Sequence, residues 1–126
     1  MPGRLHHVVL DCPDPVALAQ FYSALLGMPI TYRSDDWVVV ARADNRSGLA
    51  FQLSPDHVPP RWRDPEHGQQ FHLDVMVEDP HAAEPEVLAL GATRLNPGVG
   101  PPLVFADPAG HPFCLITRPG WAEPVS

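Results

Sequence analysis

Two histidines, His7 and His72, stand at matching places in the stretches HHVVLDCPDP and FHLDVMVEDP, which also align Asp14 with Asp79 and Pro15 with Pro80. Imidazoles recurring at equivalent positions suit a divalent cation, since neutral histidine nitrogen is the commonest metal donor. Strand alternation supplies further candidates. If each stretch opens as a β-strand, side chains two residues apart share a face. His7, Val9 and Asp11 then oppose Val8, Leu10 and Cys12, and His72, Asp74 and Met76 oppose Leu73, Val75 and Val77. The more apolar sets belong under a helix. Near the end of each half, Phe51-Gln52-Leu53 matches Phe113-Cys114-Leu115, which leaves Gln52 and Cys114 on the histidine side. Positions 7, 52, 72 and 114 thus aim polar or soft side chains at one concavity. Asp11 or Asp74, also facing that side, could serve as a general base if burial raised its pKa.

Each of these residues also has a plainer reading. A histidine on a strand is often only hydrogen-bonded, which is the reading given to His6; a carboxylate at a strand rim is often solvated. Cysteine is among the side chains most often buried as a small hydrophobe. Duplication would preserve a histidine pair even after a metal was lost, so metal-bound and metal-free readings both stand.

The elements that must position these residues form a repeat. LHHVVLDC reads as a strand; Asp14 is an N-cap, Pro15 a first helical residue, and VALAQFYSALLG a helix ending at Gly27. Leu18, Phe21, Tyr22 and Leu25 fall on one helical face. PITYR, DWVVVAR and GLAFQLS follow as strands. Residues 55–69, with their prolines and no periodicity, read as a connector in which Trp62, within Arg61-Trp62-Arg63, either stacks on a ligand or packs on the sheet. The pattern then restarts with FHLDVMV, a helix capped by Asp79 and closed by Gly91, and the strands ATRLN, PLVFA and PFCLIT. Pro85 should kink that second helix or delay its start. The expected fold is α+β: one domain spanning residues 1–126, made of two tandem βαβββ modules at about 5–54 and 70–118. A helix covers one face of each sheet, and the bare face calls for a second copy, within the chain or across a homodimer.

Composition narrows the partners. The chain has 126 residues, enough to fold without disulfides or a structural metal. Its 17 prolines lie mostly between apolar runs and act as punctuation. Fifteen acidic residues against eight arginines and no lysine give a net charge of −7, a poor match to nucleic acid or an anionic membrane. No apolar run is long enough to span a bilayer and no leader-like segment opens the chain, so a cytoplasmic location is expected. Cys12 and Cys114 form neither a disulfide framework nor a cysteine-only metal site.

Taken in order, the βαβββ repeat, His7 and His72 at the strand openings, FYSALLG, EDP…LALGA and DPAGHPFCL resemble the vicinal oxygen chelate superfamily, in particular its glyoxalase-like domain proteins, over residues 5–118. The resemblance implies paired modules with a metal between them, held by ligands from the first and last strands, and a lyase or isomerase acting on substrates with vicinal oxygens. His7 and His72 match the histidine ligands; Gln52 falls where glutamate or glutamine can occur. At position 114 the usual glutamate is replaced by Cys114. A hard oxygen donor there would suit nickel, iron or manganese, whereas a thiolate shifts preference toward zinc or copper. With Gln52 as a weak fourth ligand, zinc could be held tetrahedrally, leaving little room for substrate. Met76, beside the histidine row, and Trp62 are the expected ligand-pocket residues. The alternative is a metal-free drug- or metabolite-sequestering protein of the bleomycin-resistance type, which needs concave apolar walls and no Lewis acid.

Overall fold

A computed structural model describes residues 1–124. The chain divides into two compact units, Met1–Val58 and a second that starts at Pro59.

The first unit runs β1 (His7–Cys12), α1 (Pro15–Leu26), β2 (Ile30–Arg33), β3 (Trp37–Val40) and β4 (Gly48–Leu53). Its sheet has the order β1-β4-β3-β2, with β1 and β4 parallel and the remaining pairs antiparallel. A parallel pair needs a crossover, and α1 is part of it. That helix starts where Asp14 accepts a hydrogen bond from the Ala17 amide at 3.1 Å. It stops at Gly27, whose φ of 64° is a left-handed conformation that glycine adopts without steric cost. Leu18, Phe21 and Tyr22 from α1 are buried with Leu10, Val38, Val40 and Phe51 from the strands. Tyr22 stacks on Phe51 with centroids 5.5 Å apart. Leu25 is only half-buried at the edge of the helical stripe. Gly48, the ladder partner of His7, admits no side chain, because a Cβ there would stand 2.2 Å from the Val40 carbonyl oxygen.

The second unit contains a 3-10 turn (Pro65–His67), then β5 (Leu73–Val77), α2 (Pro80–Ala89), β6 (Thr93–Arg94), β7 (Leu103–Ala106) and β8 (Pro112–Thr117). Its sheet order, β5-β8-β7-β6, repeats that of the first, again with the outer crossover pair parallel. Phe105 of β7 and Phe113 of β8 stack with centroids 5.5 Å apart. Contrary to expectation, Pro85 does not delay α2. Asp79 accepts from both the His81 and Ala82 amides, and the helix begins at Pro80. Two capping bonds fix the first turn, so the proline costs only the bond its missing N–H would have made further along.

Two polar clusters hold the second unit's loops. Arg94 donates to Glu84 of α2 at 2.6 Å, to the Asn96 side chain at 2.8 Å and to the Val99 carbonyl at 2.7 Å. In turn Asn96 Oδ1 accepts from the Val104 amide at 2.8 Å. Asp107 is buried and accepts from the Ala109 and His111 amides at 2.8 and 3.0 Å, with His111 Nδ1 2.8 Å from its other oxygen. This accounts for the DPAGH segment as the turn joining β7 to β8. The architecture is therefore α+β, two tandem four-stranded modules each with its helix.

Candidate functional site

In the second unit, β5 and β8 run parallel with Asp74 opposite Cys114. His72 lies just before β5, two residues from Asp74 and hence on the same side of the strand. The donor atoms of His72, Asp74 and Cys114 all lie within 4.8 Å of one another, and His72 Nε2 is 3.3 Å from Asp74 Oδ1. Two ligands on one tetrahedral zinc, with bonds of about 2.0–2.3 Å, stand about 3.3–3.8 Å apart. The His72–Asp74 spacing therefore fits a shared cation, with the Cys114 sulfur within reach of both. So does the mixed nitrogen, oxygen and sulfur set, which favours a borderline ion such as zinc over magnesium or calcium. His72 and Asp74 are solvent-exposed, leaving that side open to a ligand, while Cys114 is only 7 % exposed and forms the floor. Burial, and then the neighbouring Asp74 carboxylate, push the Cys114 thiol above its usual pKa. Without a cation the thiol therefore keeps its proton, and metal binding must displace it.

In the first unit His7 opens β1, half-buried, its ring 3.8 Å from that of His6. Desolvation by burial, and then His6, lower its pKa, so it is neutral at pH 7. Its Nδ1 is buried without a hydrogen-bond partner among the described residues. Gln52 and Asp11 are exposed ladder partners at the far end of the same strands. Four rungs separate them from the His7–Gly48 pair, about 13 Å along the strands. His7 and Gln52 are thus not brought together within their sheet. The ladders also correct the match between Gln52 and Cys114. Val9 pairs with Ala50 as Asp74 pairs with Cys114, so Ala50 occupies the register of Cys114 and Gln52 that of Ile116. The Phe-x-Leu likeness misleads by two residues, since in this register Leu49-Ala50-Phe51, and not Phe51-Gln52-Leu53, is the equivalent of Phe113-Cys114-Leu115, a shift invisible without the pairing.

Asp11 and Asp74 are both exposed, whereas the general-base reading called for a buried carboxylate. Asp74 instead sits among donors. That role was missed, although the His-x-Asp spacing on a strand was its signal. Met76 is half-buried beside Ile116, and Trp62 is half-buried with the Arg63 guanidinium 5.8 Å from its ring centre. A groove of about 490 Å³ in the first unit is bordered by His6, His7, Tyr32, Asp36, Trp37 and Asp44, residues far apart in the sequence that strand pairing brings together.

A sequence profile described as a glyoxalase-like domain matches residues 7–116. No curated protein matches the sequence significantly. Among solved structures, a glyoxalase-related enzyme from Fulvimarina pelagi is 21 % identical with a TM-score of 0.69, covering 94 % of this chain and 91 % of that one. A glyoxalase/bleomycin resistance protein/dioxygenase family enzyme from Burkholderia phytofirmans PsJN is 19 % identical at a TM-score of 0.68, with coverage of 91 % and 98 %. A lactoylglutathione lyase from Agrobacterium tumefaciens is 17 % identical at 0.61, with 97 % and 98 % covered. At these identities the structural likeness speaks for the fold, and the profile for the family. The repeated βαβββ module, its strand-opening histidines and a profile match over nearly the whole chain place this protein in the glyoxalase-like domain family, within the vicinal oxygen chelate superfamily.

Proposed function

We propose that this chain binds a small molecule through a divalent cation held by His72, Asp74 and Cys114, and acts as a lyase or isomerase on a substrate with vicinal oxygens. The observation that carries the reading is the convergence of three unlike donors within 4.8 Å on one rigid strand pair. A bound cation would supply Lewis acidity toward two neighbouring substrate oxygens. The chain's own contributions are distinct. The β5–β8 ladder fixes the spacing of Asp74 and Cys114, and buried Cys114 closes the inner side so that substrate approaches from the exposed side of His72 and Asp74. Zinc leads the candidate ions, followed by nickel, iron and manganese. The partners are one small molecule and, through the sheets' helix-free faces, a second copy of the chain.

Cobalt(II) titration tests the reading, since a thiolate on cobalt gives an intense near-ultraviolet charge-transfer band. We expect that band at one equivalent in the wild type, its loss in Cys114→Ala, and binding weakened at least about tenfold in His72→Ala, the scale on which loss of one ligand contact acts. No band, or a band that survives Cys114→Ala, would refute it. A concurrent loss in His7→Ala would enlarge the donor set to the first unit's histidine, and the same series should include Gln52→Ala.

The second reading is metal-free sequestration of a drug or metabolite. What favours it is the protonated, buried state of Cys114 together with the aromatic groove of the first unit. Stoichiometric ligand binding by chelator-treated protein, without turnover, is its expected signature.

A further inference from the structure

Three of the chain's eight arginines, Arg4, Arg42 and Arg46, border one pocket of about 580 Å³ in the first unit, and Met28, Asn45 and Ser47 complete its lining. None of these six residues borders the groove at His7 and Trp37. The pocket belongs instead to the end of the sheet where α1 hands over to β2. Arg42 comes two residues after Val40, which is buried with the side chains of α1, so strand alternation turns it away from the helix-free face. Met28 follows the helix cap, where its amide donates to the Ser23 carbonyl at 3.2 Å and its carbonyl accepts from Ser23 Oγ at 2.6 Å.

The backbone that carries the arginines is held in place. The Ala41 amide donates to the Pro29 carbonyl at 3.2 Å, which extends the β2–β3 pairing up to the residue before Arg42. The Arg46 amide donates to the Ala43 carbonyl at 3.1 Å and folds the β3–β4 loop into a turn. Ser47 Oγ donates to the Leu5 carbonyl, tying the segment with Arg4 to that loop.

Arg94 and Arg118 each have a glutamate partner, at 2.6 and 3.6 Å, whereas Arg4, Arg42 and Arg46 have no carboxylate at ion-pair distance among the described residues. Asp44, in the same loop, borders the other groove. Like charges around one concavity repel each other, and a bound anion offsets that cost. The net charge of −7 opposes an anion only at long range, where salt screens it beyond about 8 Å. Guanidinium forks match the paired oxygens of a phosphate, and Asn45 adds a neutral amide donor. The volume lies in the small-molecule range, larger than a bare phosphate requires, and Met28 offers an apolar wall to the remainder.

We propose that this pocket binds the phosphate group of a small phosphomonoester, with Arg4, Arg42 and Arg46 on the phosphate oxygens and the organic body against Met28. The site lies wholly in the first unit and does not draw on His72, Asp74 or Cys114.

Isothermal titration of full-length, chelator-treated protein with phenyl phosphate tests this, with benzoate and benzyltrimethylammonium as monoanionic and cationic comparators. Phenyl phosphate should bind, benzoate more weakly, and the cation not at all. Arg42→Gln/Arg46→Gln should weaken binding roughly tenfold at low salt, an effect that shrinks as ionic strength rises. Arg33→Gln, which removes an exposed arginine outside the pocket, should leave the titration unchanged, as should Cys114→Ala. Co-sedimentation with vesicles containing phosphatidic acid distinguishes a free phosphomonoester from a lipid headgroup, and the protein should stay in solution. No binding of phenyl phosphate at millimolar concentration, equal binding of benzoate, indifference to the double arginine variant, an equal loss in Arg33→Gln, or recruitment to the vesicles would each overturn the proposal.

Discussion

Cys114 is the residue on which most of the chemistry turns. Its thiol is pushed upward first by burial and then by the Asp74 carboxylate, so in metal-free protein it is a poor nucleophile at neutral pH. The sign of the linkage follows. A raised native pKa means the folded state holds the proton more tightly. The stability this contributes is complete below the ordinary thiol value of 9.0 and is lost as pH rises from there through the native pKa. Alkylation of Cys114 by iodoacetamide, followed residue by residue with mass spectrometry, should therefore reach half-maximal rate at a pH above 9.0 in chelator-treated protein. Asp74→Asn should move that midpoint downward and speed the reaction near neutrality. A midpoint at or below that of a free cysteine peptide would contradict the burial argument.

Among the elements, the β7–β8 turn shows how a single buried carboxylate sets a strand's course. Asp107 is 4 % exposed and accepts two backbone amides, from Ala109 and His111, while the His111 ring closes on it at 2.8 Å. Removing the acceptor strands two part-buried amide donors, and a fully buried donor would cost about 1–3 kcal/mol each. Asp107→Ala should accordingly lose about 2–4 kcal/mol of stability in urea denaturation, whereas Asp107→Asn, which keeps one acceptor oxygen, should lose less. Because β8 carries Cys114 two residues beyond Pro112, the same substitution should also weaken cobalt binding. Equal stability of wild type and Asp107→Ala would show that water or the backbone replaces the carboxylate. The His111 ring is thus the side-chain partner of that carboxylate.

For the whole molecule, each four-stranded sheet carries its helix on one side, and the first sheet's helix-free side exposes Val9 and Tyr32 at 39 % and 56 %. Apolar residues in that position are the kind that self-association covers. A homodimer is the expected state, and sedimentation equilibrium at micromolar concentration should return about twice the 13.8 kDa chain mass. A value near the chain mass at every concentration would remove self-association from the reading. The net charge of −7 favours cationic over anionic small ligands and is a poor match to nucleic acid. Among the described residues no helix is long and apolar enough to cross a membrane.

By itself the sequence determined the repeat, the two helix starts at Asp14 and Asp79, the α+β class and the faces of β1 and β5. These are local properties: capping chemistry, Gly27 as a stop and period-2 alternation act within a few residues and leave a mark in any single stretch. Cross-strand register is different, because it depends on two segments about forty residues apart finding one another. Only the pairing revealed that Ala50 rather than Gln52 holds in the first sheet the register that Cys114 holds in the second, and that Asp74 joins His72 and Cys114 as a donor. The Asp36–Trp37 groove was hidden for the same reason: its walls come from β2, β3 and the loop before β4, and their proximity is a product of hydrogen-bonded strands rather than of spacing along the chain.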